Sequence, residues 1–151
     1  MIELTEGITP ENLHAIYSSP KNARVGNDGQ AMYPVFHPLA LYLSAWVNGV
    51  FSGAYLTIRY SDFEYEVHSL LSRRAVMQSR NFGRLLLGWV FSHYPVTRCT
   101  GYIAEGIESA RNHCLNMGFK QEGFRRDAIM VNGKPKGLYV MGITRSEWCA
   151  L

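Results

Sequence analysis

Gln78-Ser79-Arg80-Asn81-Phe82-Gly83-Arg84 sets donor-rich, turn-prone residues directly ahead of an amphipathic run through Leu85, Leu86, Trp89 and Val90. A join of this composition suits an anion. Gly83 allows backbone to come close to a ligand, and Asn81 is among the few non-glycine residues that tolerate a left-handed conformation. Successive peptide N–H groups would then converge on one phosphate, with the helix macrodipole behind them and Arg80 and Arg84 alongside. The same residues would also serve as an ordinary helix start. Arg73 and Arg74 lie a few positions upstream, and the planar donor fork of arginine suits phosphate, although these two also read as solvated surface charges. A second group alternates along a strand: Glu64, Glu66 and His68 share one face, which makes Glu66 and His68 candidates for a base acting directly or through water. Three polar residues on one strand face also describe a face turned to solvent.

The chain that must position these groups has 151 residues, 47% of them hydrophobic and 18% charged, which predicts one compact domain over 1–151 with a proper core. A net charge of +3 is modest, and with no recognised nucleic-acid motif it argues against nucleic acid as the partner of the arginine cluster. Cys99, Cys114 and Cys149 are odd in number, widely spaced and outside any CxxC, so neither a disulfide framework nor a metal site is expected. The N-terminal Met1-Ile2-Glu3-Leu4-Thr5-Glu6 lacks a basic region and an apolar signal. The apolar stretches near Leu39 to Val47 and Leu85 to Phe91 are too short to cross a bilayer. A soluble, unexported protein of the reducing cytoplasm, without a membrane partner, is the expectation.

Ile2 to Glu6 reads as a short strand. Thr9 caps a helix that begins at Pro10, with Leu13, Ile16 and Tyr17 on one face. Ser18 to Pro38 reads as a long loop. Leu41 to Val47 and Val50 to Tyr60 flank Asn48-Gly49, a strong hairpin signal, and Phe63 to Leu71 continues as a third consecutive strand. The helix from about Phe82 to His93 buries Phe82, Leu85, Leu86, Trp89 and Val90, and Pro95 ends it. Cys99 to Ala104 is a buried strand, Glu108 to Met117 a helix closed by Gly118, and Phe124 to Val131 with Leu138 to Thr144 a hairpin about Asn132-Gly133. This order implies an α/β mixed sheet covered by helices on both faces.

With its phosphate-type loop between the fourth strand and the long helix, the chain resembles the GNAT superfamily of acyl-coenzyme A-dependent N-acyltransferases over nearly its whole length. The family's pyrophosphate loop, Gln/Arg-x-x-Gly-x-Gly/Ala, is matched by Gln78-Ser79-Arg80-Asn81-Phe82-Gly83 with Asn81 in place of the first glycine. The segment from Ala110 through Gly118-Phe119 and Glu122-Gly123 to Arg126 is similar to the family's "A…GF…EG..R" pattern. Tyr139 and Arg145-Ser146-Glu147-Trp148 resemble the tail of the branch that acetylates ribosomal-protein N-termini. Val67-His68 before the arginine-rich loop, with Trp89-Val90-Phe91, is also similar, more loosely, to GNAT-like proteins of bacteriophages, some of which serve in assembly.

The resemblance implies a GNAT-like fold: a mostly antiparallel sheet with helices on both faces and a splayed parallel strand pair. It implies acetyl-coenzyme A between the fourth and fifth strands, its pantetheine on the backbone of Leu70, Leu71 and Ser72. Its pyrophosphate would rest on Gln78, Ser79, Arg80, Asn81, Phe82, Gly83 and Arg84, with Arg73 or Arg74 reaching the nucleotide phosphate and no metal needed. The acceptor would be an amine, on a protein N-terminus or a small molecule, acetylated by direct transfer through a tetrahedral intermediate. An α-amine of pKa ~7.7–8.0 is roughly 20–35% neutral near pH 7.4 against about 0.1% for a lysine of pKa ~10.4, so it asks far less of a base.

The tyrosine with which many members protonate the leaving thiolate falls at Cys114, and the asparagine and serine of the ribosomal-protein branch fall at Ile107 and Ala110. His113 and Tyr102 are the substitutes to weigh, and each also reads as packing. The gaps, with an aromatic fraction of 13%, leave open a non-catalytic GNAT-like domain, phage-encoded, that serves in assembly or protein binding. A homodimer is compatible with either reading.

Overall fold

Residues 1–19 and 39–151 are described by the structure, a computed structural model. The loop expected over Ser18 to Pro38 lies, apart from Ser18 and Ser19, outside the described residues. The strands are β1 (Ile2–Glu6), β2 (Ala40–Val47), β3 (Val50–Arg59), β4 (Glu64–Leu71), β5 (Arg98–Ala104), β6 (Lys120–Val131) and β7 (Lys134–Thr144). Among the described residues the helices are α1 (Pro10–Tyr17), α2 (Arg73–Val76), α3 (Ser79–His93), α4 (Glu108–Asn116) and α5 (Arg145–Cys149).

The punctuation works as its chemistry dictates. Thr9 caps α1, its side chain accepting from Asn12 N–H at 3.2 Å. Asn48 and Gly49 take φ of 51° and 75°, and Asn132 and Gly133 take 52° and 70°, the paired positive values that a tight hairpin turn needs. The helix α2 was not expected: Ser72 caps it, accepting from Ala75 N–H at 3.4 Å. Nor was α5, which Thr144 and Glu147 close as a reciprocal capping box. Strands β6 and β7 each begin four residues before the predicted start, so the final hairpin is longer than the apolar pattern indicates.

The described residues form one sheet of seven strands in the order β1-β2-β3-β4-β5-β7-β6. Every pairing is antiparallel except β4 with β5, which is parallel and short: Glu64 pairs with Arg98, Tyr65 with Cys99 and Glu66 with Thr100, and the register ends there. On either side the sheet continues, with Leu70 and Leu71 still opposite Ala54 and Gly53 of β3, and Ile103 and Ala104 still opposite Tyr139 and Leu138 of β7. The sheet therefore forks after Glu66.

On one sheet face α3 buries Phe82, Leu86, Val90 and Gly83, Leu87, Phe91, two rows at i, i+4 spacing, against Leu43, Tyr55, Tyr65, Met141 and Ile143. This corrects the predicted stripe by about one residue: Leu85 is 41% exposed and Leu87 only 1%. Helix α1 covers a smaller core of Leu13, Tyr42, Ala54 and Leu56 on the other face.

Candidate active site

The fork exposes peptide groups in a fixed order. Ser72 N–H donates to Ser52 carbonyl at 2.9 Å and Tyr60 N–H to Glu64 carbonyl at 3.0 Å, so the even-numbered residues of β4 turn their peptide groups to β3. Odd-numbered Val67, Ser69 and Leu71 turn theirs toward β5, beyond the last register pair. Of the three residues expected to meet pantetheine, Leu71 alone faces the fork. Leu70 and Ser72 face β3, and the Ser72 hydroxyl is engaged in the α2 cap.

Side chains on this strand alternate too. Tyr65 and Leu71 are buried, at 5% and 6% exposure, and Val67 is half-buried, yet Ser69 between them on the same face is exposed. That face carries α3 and α4, so the core layer has a gap at Ser69. Tyr55 lies directly opposite Ser69 on β3 and forms one wall. Sequence reasoning missed Ser69 and Tyr55. The signal was available: in the buried series Tyr65, Val67, Ser69, Leu71 a single position is polar.

At the C-terminal end of β4 stands the N-terminus of the 15-residue helix α3. Gln78 occupies the N-cap position and makes no cap hydrogen bond; its side-chain oxygen accepts from Asn81 Nδ2 at 3.1 Å instead. The opening amides are therefore not plugged by the helix's own cap. Arg73, Arg74, Arg80 and Arg84 surround this end, all exposed and none paired to a carboxylate among the described residues. Uncapped amides, the helix dipole and unpaired guanidiniums are the donor set a diphosphate needs.

Two expectations for this segment are corrected. Asn81 lies inside α3 with helical backbone, and the positive-φ residues are elsewhere, so no left-handed loop precedes the helix. Gly83 is also helical, and a Cβ there would lie 1.8 Å from Met117 Sδ. Its lack of a side chain serves the approach of α3 to the end of α4 rather than backbone contact with a ligand. Phe82 is fully buried core, and its amide already donates to the Gln78 carbonyl at 3.0 Å, so the free amides of this helix start end at Asn81.

On the opposite face, Glu66 and His68 meet at the fork, with Oε1 and Nε2 2.6 Å apart and side chains 22% and 37% exposed. Glu64 is committed elsewhere: it accepts from Thr100 Oγ1 and lies 3.5 Å from Arg98 Nε. Arg98 reaches on to Glu122, crossing Gly142, where any Cβ would fall 2.4 Å from its Nη2 and 2.6 Å from the Glu122 carboxyl. A one-residue bulge at Glu122 aims that carboxylate across β7. Tyr102 of β5 is near Glu66, and its hydroxyl is pushed up by burial first and by Glu66 and Glu64 next.

Helix α4 supplies Cys114 and His113. Burial pushes the Cys114 thiol up to about 11, so it stays protonated near neutral pH and is no nucleophile. His113 Nδ1 lies 3.5 Å from Ser79 Oγ, and burial, then Arg80, lowers its pKa. No group of three or more His, Cys, Asp or Glu able to hold a metal occurs among the described residues. No helix among them is long and apolar enough to cross a membrane.

Neither a sequence-family model nor a curated protein sequence matches the chain. Solved structures do. Spermidine N-acetyltransferase from Vibrio cholerae, in complex with coenzyme A and spermine, is similar at a TM-score of 0.81 and 14% identity, over 97% of this chain and 98% of that one. A chimera of that enzyme with hSSAT is similar at a TM-score of 0.76 and 16% identity, over 97% and 98%. At such identities the likeness establishes architecture: the forked mixed sheet with helices on both faces is the GNAT fold that the order of elements led us to expect.

Proposed function

We propose that the protein is an acyl-coenzyme A-dependent N-acetyltransferase that moves acetyl directly to an amine. The observation that carries the reading is the end of β4–β5 pairing at Glu66 and Thr100. One face of the fork offers an open slot at Ser69 leading to the uncapped start of α3. The other offers the Glu66–His68 pair. A thioester donor and an amine would approach from opposite faces and meet where the strands part. The cosubstrate would supply the activated acetyl group. Arg73, Arg74, Arg80, Arg84 and the α3 amides would hold its phosphates, and Val67 and Ser69 would pair with its extended arm. Glu66, with His68 beside it, would take the ammonium proton; Glu64 is held by Thr100 and Arg98 and is not the base.

The acceptor we favour is an α-amine of a protein, peptide or small metabolite, because a single half-exposed carboxylate–imidazole pair has little to do when the amine is already partly neutral. The spermine in the Vibrio cholerae structure is a cationic amine, and the carboxylates Glu64 and Glu66 on the acceptor face are compatible with one. The test is release of coenzyme A thiol from acetyl-coenzyme A across a panel of peptide N-termini, small α-amines and polyamines. Thiol release with none of them, despite cofactor binding, would remove the catalytic claim.

Ile107, Ala110 and Cys114, where oxygen or amide donors were expected, favour a second reading: a GNAT domain that has kept the fold for protein binding. Titration separates the two, since a domain that has abandoned the slot gives no heat with coenzyme A.

A further inference from the structure

We propose that Tyr55 is the hydrogen-bond donor to the leaving sulfur, the role left vacant at Cys114. This rests on the acyltransferase reading above and adds to it a residue on β3, outside the helix where a donor was expected.

Three observations converge on the Tyr55 hydroxyl. The residue is 4% exposed and sits in the main core, on the face covered by α3 and α4. Its oxygen has no hydrogen-bond partner among the described residues. Yet among the described residues no buried side-chain oxygen or nitrogen is left unsatisfied, which puts this oxygen at accessible surface rather than in packed core. That space is identified by register: Tyr55 is directly opposite Ser69, whose side chain shares its face and is exposed while Tyr65 and Leu71 to either side are buried. The slot at Ser69 opens where β5 has left β4. The third wall is Cys114, close enough that its thiol acts electrostatically on the Tyr55 hydroxyl.

A phenol oxygen at such a slot is met by water while the slot is open, and needs another acceptor for its hydrogen bond once a ligand has displaced that water. A sulfur acquiring negative charge is such an acceptor. Burial, and after it Cys114, holds the Tyr55 pKa above the ordinary tyrosine value, so the hydroxyl keeps its proton at any pH where the enzyme works. It therefore donates a hydrogen bond without giving the proton away. The amine nitrogen bonds to the acetyl carbon, the carbon–sulfur bond breaks, and its electron pair stays on sulfur. Nitrogen's surplus proton leaves through Glu66 and His68 to water, and the departing thiolate takes one from water as it is released.

The experiment follows the thiol of bound coenzyme A by its thiolate absorbance as pH is raised, in wild type and Tyr55→Phe, beside the affinity of each for dethio-coenzyme A. Wild type is expected to bind coenzyme A and to lower its thiol pKa below that of the free molecule. Tyr55→Phe is expected to raise that value by about one unit or more, to leave dethio-coenzyme A affinity unchanged, and to cut kcat by roughly 10- to 100-fold, the range of a hydrogen bond to a charged group. An unchanged thiol pKa in the folded variant overturns the proposal while leaving acyl transfer standing. If the variant does not fold, wild type decides alone: a bound thiol titrating at or above the free value overturns it. Failure of wild type to bind coenzyme A overturns both readings at once.

Discussion

Gly83→Ala separates two uses of one glycine. A helix-interior glycine exchanged for alanine should stabilise by about 0.8–1 kcal/mol when the new methyl meets nothing. At Gly83 it meets Met117 Sδ at 1.8 Å and Cε at 3.1 Å. Met117 must swing away or α4 must shift, and overpacking of this kind costs about 1–3 kcal/mol. The net effect is a destabilisation of up to roughly 2 kcal/mol, the difference of those two ranges. The assay is urea unfolding of Gly83→Ala, Met117→Ala and the double variant. With Met117 truncated, Gly83→Ala should turn stabilising by about 0.5–1 kcal/mol, so the cycle should return a coupling of about 1–3 kcal/mol. Gly88→Ala in the same helix is the control, since its methyl would lie 3.8 Å from Trp148, an ordinary contact, and it should raise Tm by about 2–4 °C. Additive effects in the cycle, with Gly83→Ala as stabilising as Gly88→Ala but coenzyme A affinity lost, would refute the packing argument and return the glycine to the ligand.

Glu66→Gln should lower kcat/KM by roughly 100-fold near pH 7, and the deficit should shrink as pH passes the acceptor's pKa; a deficit constant across pH would deny it the role of base. His113 has a folded pKa below the usual 6.5 because burial and Arg80 oppose its charge. Its contribution is complete above pH 6.5 and is lost as pH falls through the folded value, so unfolding free energy should decline over that window, and His113→Asn should flatten the decline. Arg145→Lys should cost about 2–4 kcal/mol, because the guanidinium donates to the carbonyls of Phe91 and Val96 at 2.8 Å and Tyr94 at 2.5 Å, which one ammonium cannot span. Thermal melts check it, and an unshifted Tm would show that water serves those carbonyls as well.

The parts of the architecture carried by local chemistry were readable from the chain. Asn48-Gly49, Asn132-Gly133 and Thr9-Pro10 each state a backbone geometry by themselves, and the observed turns and cap follow. The start of α3 was not, because Asn81 and Gly83 suit a loop and a helix alike, and the deciding contact, Met117, is 34 residues away from Gly83. Helices α2 and α5 are too short for periodicity, and only Ser72 and Thr144 announce them. For the candidate site, alternation located the Glu66–His68 pair on one face of β4, yet nothing in the run of residues marks where β5 leaves it. The fork is a property of how two strands paired 34 positions apart diverge, and Tyr55 and Ser69 gain their meaning from it alone.

Strand β6 lies at the sheet's rim, with β7 as its sole neighbour in the strand order. The Glu64–Arg98–Glu122 chain of charges steps over Gly142 and so ties that rim to the middle of the sheet without passing through β7's own side chains. Farther out, the ladder slips between Arg125 and Ile129, with Asp127 at a φ of 46°. A push on the outer turn of this hairpin would therefore be absorbed at the slip, while its inner root stays clamped to β5. Insertions at that turn should leave the amine side of the fork undisturbed, whereas any side chain at position 142 would unfasten the clamp from both ends.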